Sequence, residues 1–228
     1  MEQTMDRNHE RAARRADAAA RRGERDGSGP TRDDHTVARF PGATAKFALL
    51  GEVLLVGVLV TLVGILIVTL PAALAAGTRH LRRFIRAEGS SLGLFFGDVR
   101  GALPGGLAIG AGAVLLAAVL AFDIVIASSG LLPGGALMAV VGWVGLLALS
   151  VALLAAAGLW SPQSGWRAAL RTLPRSLADD IPGALYLAAT GVFVGVATWA
   201  LLPLVIPALG CAALAVVAIP ERPRHRVG

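Results

Sequence analysis

Residues 124–166 read IVIASSGLLPGGALMAVVGWVGLLALSVALLAAAGLWSPQSGW, 43 positions without a single Asp, Glu, Lys or Arg. A bilayer core about 30 Å thick is crossed by roughly 20 apolar helical residues, so the stretch holds two crossings if the chain turns within it. Ser128-Ser129-Gly130 and Pro133-Gly134-Gly135 supply that turn. The segment therefore predicts a helical hairpin, with spans at 103–127 and 136–159.

Outward from the hairpin the same pattern repeats. Charge-free runs cover 53–78, 101–122 and 181–220, of 26, 22 and 40 residues. The 40-residue run would extend about 60 Å as one helix, twice the hydrocarbon thickness, so it is read as folding back at Leu202-Pro203 into spans 183–201 and 204–219. The first span is placed at 47–70. A chain of 228 residues that is 55% hydrophobic and 16% charged, with mean hydropathy +0.68, is too apolar for an ordinary soluble domain. The fold class expected is all-α, a polytopic transmembrane bundle of about five spans, with four to six possible.

Two other materials flank these spans. Residues 1–45 are dense in charge and poor in apolar side chains; up to Lys46 they carry ten Lys or Arg against eight Asp or Glu, the composition of a disordered tail. It is not read as a signal peptide, because the apolar run starts late and no small-residue cleavage pattern precedes it. Residues 221–228 form a basic C-terminal tail. Between spans, Arg79, Arg82, Arg83 and Arg86 interleave with Leu81, Phe84 and Ile85, and Arg167, Arg171 and Arg175 run beside Trp166, Leu170, Leu173 and Leu177. Both segments read as amphipathic interfacial helices, the first leaving the membrane after Pro71, the second lying on an anionic surface and kinked at Pro174.

The composition also excludes chemistry. Cys211 is the sole cysteine, so an intramolecular disulfide and a cysteine-based metal cluster are ruled out. His9, His35, His80 and His225 include no pair at helical i, i+4 spacing, and no phosphate-binding loop or nucleophile elbow is present. No metal, cofactor or catalytic residue is expected. The net charge of +6 arises from basic residues that flank apolar runs, which favours anionic lipid headgroups over nucleic acid as partners. Lys46 is the only lysine among 21 basic residues, the bias of a GC-rich bacterial genome. The expected location is a bacterial inner membrane. Arginine counting over short connections places the 77–102 and 160–182 loops in the cytoplasm, which leaves the N-terminal tail outside; whether 204–219 crosses decides the side of the C-terminus.

Two acids interrupt apolar surroundings, Glu52 early in the first span and Asp123 late in the second. Ionisable groups within spans are functional candidates by default. In the five-span arrangement both lie near the outer face together with Thr198 and Trp199, which suggests a polar pocket there; the competing reading is that each acid simply reaches headgroup water. Gly106 and Gly110, and Gly191 and Gly195, form two GxxxG pairs suited to close helix packing within the bundle. Trp160 suits an interfacial anchor. Asp98-Val-Arg-Gly-Ala-Leu103 and Asp180-Ile-Pro-Gly-Ala-Leu185 share a pattern that hints at a parallel repeat.

The run Thr69-Leu70-Pro71-Ala72-Ala73-Leu74-Ala75-Ala76, the basic stretch through Arg86 and the segment Phe95-Phe96-Gly97-Asp98-Val99-Arg100-Gly101-Ala102-Leu103 together resemble the YesL-like family of bacterial membrane proteins over about residues 45–220. The family's span-one asparagine has no counterpart in 53–68. The resemblance implies a membrane protein associated with carbohydrate uptake systems, and it carries over no catalytic residue. The expectation is thus a non-enzymatic accessory or scaffold component of a transport system, with transporter subunits as candidate partners. A small-solute transporter or channel is the alternative, and a membrane-embedded enzyme is third.

Overall fold

The computed structural model describes residues 41–88, 90–129 and 133–221. Two units divide the chain, Met1–Ala45 and Lys46–Gly228; within the first, the described residues 41–45 are helical. The tail expected over 1–45 otherwise lies outside the described residues, as does the C-terminal tail beyond 221.

The described chain is helical throughout: α1 (Pro41–Gly64), α2 (Leu70–Ile85), α3 (Leu92–Ser128), α4 (Gly135–Leu159), α5 (Gly165–Asp179), α6 (Ile181–Ala200) and α7 (Val205–Glu221), with a 3₁₀ turn at Leu202–Leu204 before α7. Five segments are long and apolar enough to cross a membrane: Phe47–Gly64, Leu92–Ser128, Gly135–Leu159, Ile181–Ala200 and Leu202–Glu221. The chain is thus a multi-pass integral membrane protein. The predicted hairpin is present as α3 and α4, joined through the Ser128–Gly134 region, where Gly134 takes a left-handed conformation at φ +82°.

The first span departs from expectation. It stops at Gly64 instead of continuing to Leu70, and the chain reverses over residues 65–69. Ile67 sits at φ +53°, a left-handed geometry unusual for a β-branched residue. The Thr69 hydroxyl donates to the Val63 carbonyl and clips the turn, and Pro71 follows in the first turn of α2, where its missing N–H costs nothing. α2 then runs back along α1: Gly64 abuts Leu70, Gly77 faces Val60 and Val56, and Glu52 meets His80.

This return buries α2. Every residue from Pro71 to Thr78 is buried, because α1, α3, α4 and α7 surround it. The expected interfacial helix over this segment is therefore replaced by a central one; its small side chains, Ala72, Ala73, Ala75, Ala76 and Gly77, let four neighbours approach, the device by which helices associate where lipid offers no hydrophobic drive. Val56, Val60, Ala73, Ala213 and Val217 fill the space between them at zero to one per cent exposure.

Glycine contacts fix the rest. Gly106 and Gly110 of α3 lie against Ala72 and Val68, and Gly191 of α6 lies against Ser150 of α4, whereas Gly195 faces open space. Gly57 and Gly210, not singled out in the sequence, bring α1 and α7 into backbone contact. α3 begins at Leu92, eleven residues before the expected start of the span, and continues through Pro104. α5 forms as an amphipathic helix, unbroken through Pro174.

One consequence changes the end of the bundle at which the first span starts. Because α1 and α2 are antiparallel, the Phe47–Glu52 end of α1 and the 77–102 connection lie at the same end of the bundle, not at opposite ends. The α3 start, the α4–α5 connection and the end of α7 share that end, called basal below. All eight arginines among the described residues are there: Arg79, Arg82, Arg83, Arg86, Arg100, Arg167, Arg171 and Arg175.

Candidate functional site

The basal end gathers the polar side chains, and α2 distributes them. In a helix, positions four apart share a face, so Arg79 and Arg83 both reach α3, where Asp98 lies between them. Arg79 Nε is 3.2 Å from Asp98 Oδ1 and Arg83 Nη2 is 2.7 Å from Oδ2. Asp98 is 8% exposed, Arg79 22% and Arg83 17%. Arg79 Nε and Asp98 Oδ2 nevertheless lack an aligned hydrogen bond, as does Arg83 Nη1, so the attraction is chiefly ionic.

One position along, His80 points the other way. Its Nε2 lies 2.6 Å from Glu52 Oε1 of α1, and its ring meets Phe95 edge-on at 6.1 Å. The imidazole is 1% exposed, and Nδ1 has no protein partner. Thr78, also buried, donates to the Ala75 carbonyl at 2.9 Å and reaches the Ala157 carbonyl of α4 at 3.5 Å.

Arg82 faces a third direction, donating to the Gly158 carbonyl at the end of α4 over 3.4 Å. No ion pair among the described residues neutralises it. Burial, and then the neighbouring Arg86 and Arg79 cations, push its guanidinium below the ordinary value, with Glu221 acting in the opposite sense.

Two tryptophans close the cluster. Trp160 is 2% exposed, with the Arg79 guanidinium 5.9 Å from its ring; it is a buried platform and not the expected interfacial anchor. Trp166 stacks obliquely on it at 6.0 Å, packs against Gly105 and donates its indole N–H to the Ala102 carbonyl over 2.7 Å. That contact docks α5 onto the bundle.

The expected pocket of Glu52, Asp123, Thr198 and Trp199 does not form. Glu52 is tied to His80 beside Phe95, and Asp123 lies 28 residues further along the same helix as Phe95, about 42 Å at 1.5 Å per residue. Asp123 is exposed at the opposite end. Thr198 donates to Val194 of its own helix, and Trp199 is exposed, lining with Trp143 an apolar groove between α4 and α6. The basic set also divides: Arg79 and Arg83 are turned inward on Asp98, while Arg86, Arg167, Arg171 and Arg175 are exposed. The two halves of the suggested repeat play unlike parts, since Asp98 is an ion-pair acceptor and Asp180 caps α6 by accepting from Gly183 N–H at 3.1 Å.

The sequence reading missed the His80–Glu52 pair and the Asp98 clamp. Their signal was the i, i+4 pair Arg79 and Arg83 followed by a lone Asp98 at the mouth of an apolar run. Among the described residues no three His, Cys, Asp or Glu are grouped to hold a metal ion. Comparison with family models, with curated proteins and with solved structures gives no match for this chain.

Proposed function

We propose that this integral membrane protein is a non-enzymatic accessory or scaffold component of a transport system, and that its arginine-rich basal end is the cytoplasmic docking face. The observation that carries this reading is the way α2 is held. Its apolar half is buried on all sides, and its polar half is tied to α1 through His80, to α3 through Arg79 and Arg83, and to α4 through Arg82. A central element fixed in three directions makes a rigid block suited to presenting a surface, whereas a transporter works by rocking one bundle against another around a midplane site.

Cytoplasmic placement of the basal end is supported by the arginines, since short cytoplasmic connections carry the excess of Lys and Arg. Exposed Arg86, Arg167, Arg171 and Arg175 then face the partner or the headgroups beside it. Affinity purification from the native membrane in mild detergent, with mass spectrometry, tests the proposal. Permease or ATPase subunits recovered at stoichiometric level are the expected result. A protein that emerges alone, and shows solute flux when reconstituted, overturns the accessory reading in favour of a transporter.

A further inference from the structure

A cavity of about 410 Å³ opens at the basal end where α4, α5, α6 and α7 converge on Arg82. Its size falls within the range of small-molecule sites, roughly 300–1,000 Å³. One side is polar. Thr172, Arg175, Ser176 and Asp179 line it from α5, at the i, i+3, i+4, i+7 positions of one helix face, and Arg82 enters from the bundle. The other side is apolar, walled by residues such as Leu187, Val216 and Ile219.

Two features of charge bear on what this space accepts. Neither Arg82 nor Arg175 forms an ion pair among the described residues, whereas Arg79 and Arg83 share Asp98. Asp180, which also lines the cavity, is committed to the α6 N-terminus. Arg82 and Arg175 balance Asp179 and Asp180 in number among the lining residues, and the two guanidinium groups are left as hydrogen-bond donors that no carboxylate among the described residues engages. Burial, and then the flanking cations Arg86 and Arg79, disfavour the charged form of Arg82 more than Glu221 favours it, so an anion held against the guanidinium supports the charged form.

We infer that this cavity is a phosphate site for an amphiphile, with Arg82 and Arg175 holding a phosphodiester and the apolar wall taking the glycerol and first methylenes beyond it. Guanidinium forks match phosphate oxygens bidentately, and the split lining matches a headgroup joined to chains. An anionic phospholipid has this chemistry, and a soluble phosphate ester shares the phosphate part. The inference does not depend on which transport system, if any, the protein serves.

The test is native mass spectrometry of the full-length protein in detergent with phosphatidylglycerol and phosphatidylcholine in equal amounts, beside its melting temperature in inorganic phosphate and in chloride at matched ionic strength. Wild type should retain phosphatidylglycerol over phosphatidylcholine by roughly ten-fold, and Arg82→Gln and Arg175→Gln should each lose that preference. Arg167→Gln, exposed on α5 and outside the cavity, should keep it. Stabilisation by inorganic phosphate that both cavity variants abolish, without lipid preference, would assign the site to a soluble phosphate ester. Equal retention of the two lipids with no phosphate effect, or unchanged preference in Arg175→Gln, overturns the proposal; Arg175 is exposed, so its variant remains informative if Arg82→Gln fails to fold.

Discussion

Replacing Asp98 by Asn removes the one carboxylate that neutralises both Arg79 and Arg83 while keeping the volume of the side chain. The cost follows from burial. With the acid 8% exposed and the two guanidinium groups 22% and 17% exposed, removing the acid leaves two largely desolvated cations facing each other. Breaking a buried pair costs about 3–5 kcal/mol, and because both arginines retain some solvent contact the lower end applies, about 3 kcal/mol. At about 2–4 °C per kcal/mol for a chain of this size, the melting temperature in detergent, followed by tryptophan fluorescence from Trp160 and Trp166, should fall by roughly 6–12 °C. The triple variant Asp98→Asn, Arg79→Gln, Arg83→Gln removes the stranded charges and should recover more than half of the loss. A single variant that melts within a degree of wild type, or a triple variant no better than the single, would refute the claim that Asp98 acts by neutralising these cations.

Three further outcomes are expected. Gly57→Ala places a methyl against the Ile206 carbonyl of α7 and should destabilise by about 1–3 kcal/mol, whereas Gly195→Ala, which meets nothing within 4 Å, should leave the melting temperature unchanged. Trp166→Phe deletes the indole donor to the Ala102 carbonyl and should loosen α5, read as faster amide exchange across 165–179 with exchange in α4 unaltered. Single cysteines, introduced after Cys211→Ser, should report the antiparallel α1–α2 pair: positions 47, 88 and 163 should be labelled by an impermeant thiol reagent from one side of the membrane and position 129 from the other, and labelling of 47 and 88 from opposite sides would contradict it.

The hairpin of α3 and α4 was legible because local residues dictate it. A 43-residue charge-free run cannot cross once, and the Ser, Gly and Pro that turn it sit in its sequence. The turn after Gly64 was not legible, because Ile65-Leu66-Ile67-Val68 carries none of the Gly, Asn or Pro chemistry that ordinarily marks a reversal. It is imposed by tertiary contact: Val68 backs onto Gly110 of α3, and Thr69 closes on Val63. That missed turn accounts for the missed site. Read as one crossing ending at Leu70, the first span sends His80 and Glu52 to opposite faces; read as a returning pair, it brings them to 2.6 Å. The basic helix was recognised as amphipathic, but amphipathicity does not say whether the cations face headgroups or a buried Asp, and for Arg79 and Arg83 it is the Asp.

The same turn explains the distribution of arginine. Gly110, against which the turn packs, is nine residues into α3 from Gly101, about 14 Å, and thirteen residues short of Asp123, about 20 Å. The α1–α2 tip therefore reaches only partway along the charge-free length of α3, and Leu62, Ile65, Leu66 and Ile67, exposed at 63–74%, are the apolar surface that such a tip presents to lipid. A returning α1–α2 pair keeps Lys46 and the Arg79–Arg86 cluster at one end without requiring either to cross. Under a single-crossing reading the arginine count conflicts with itself, because the 77–102 connection and the chain before the first span must lie on opposite sides although both are basic. With α1 and α2 paired, every described arginine lies at the basal end, the opposite end carries Asp123, and the rule that basic connections stay in the cytoplasm points one way for the whole described chain.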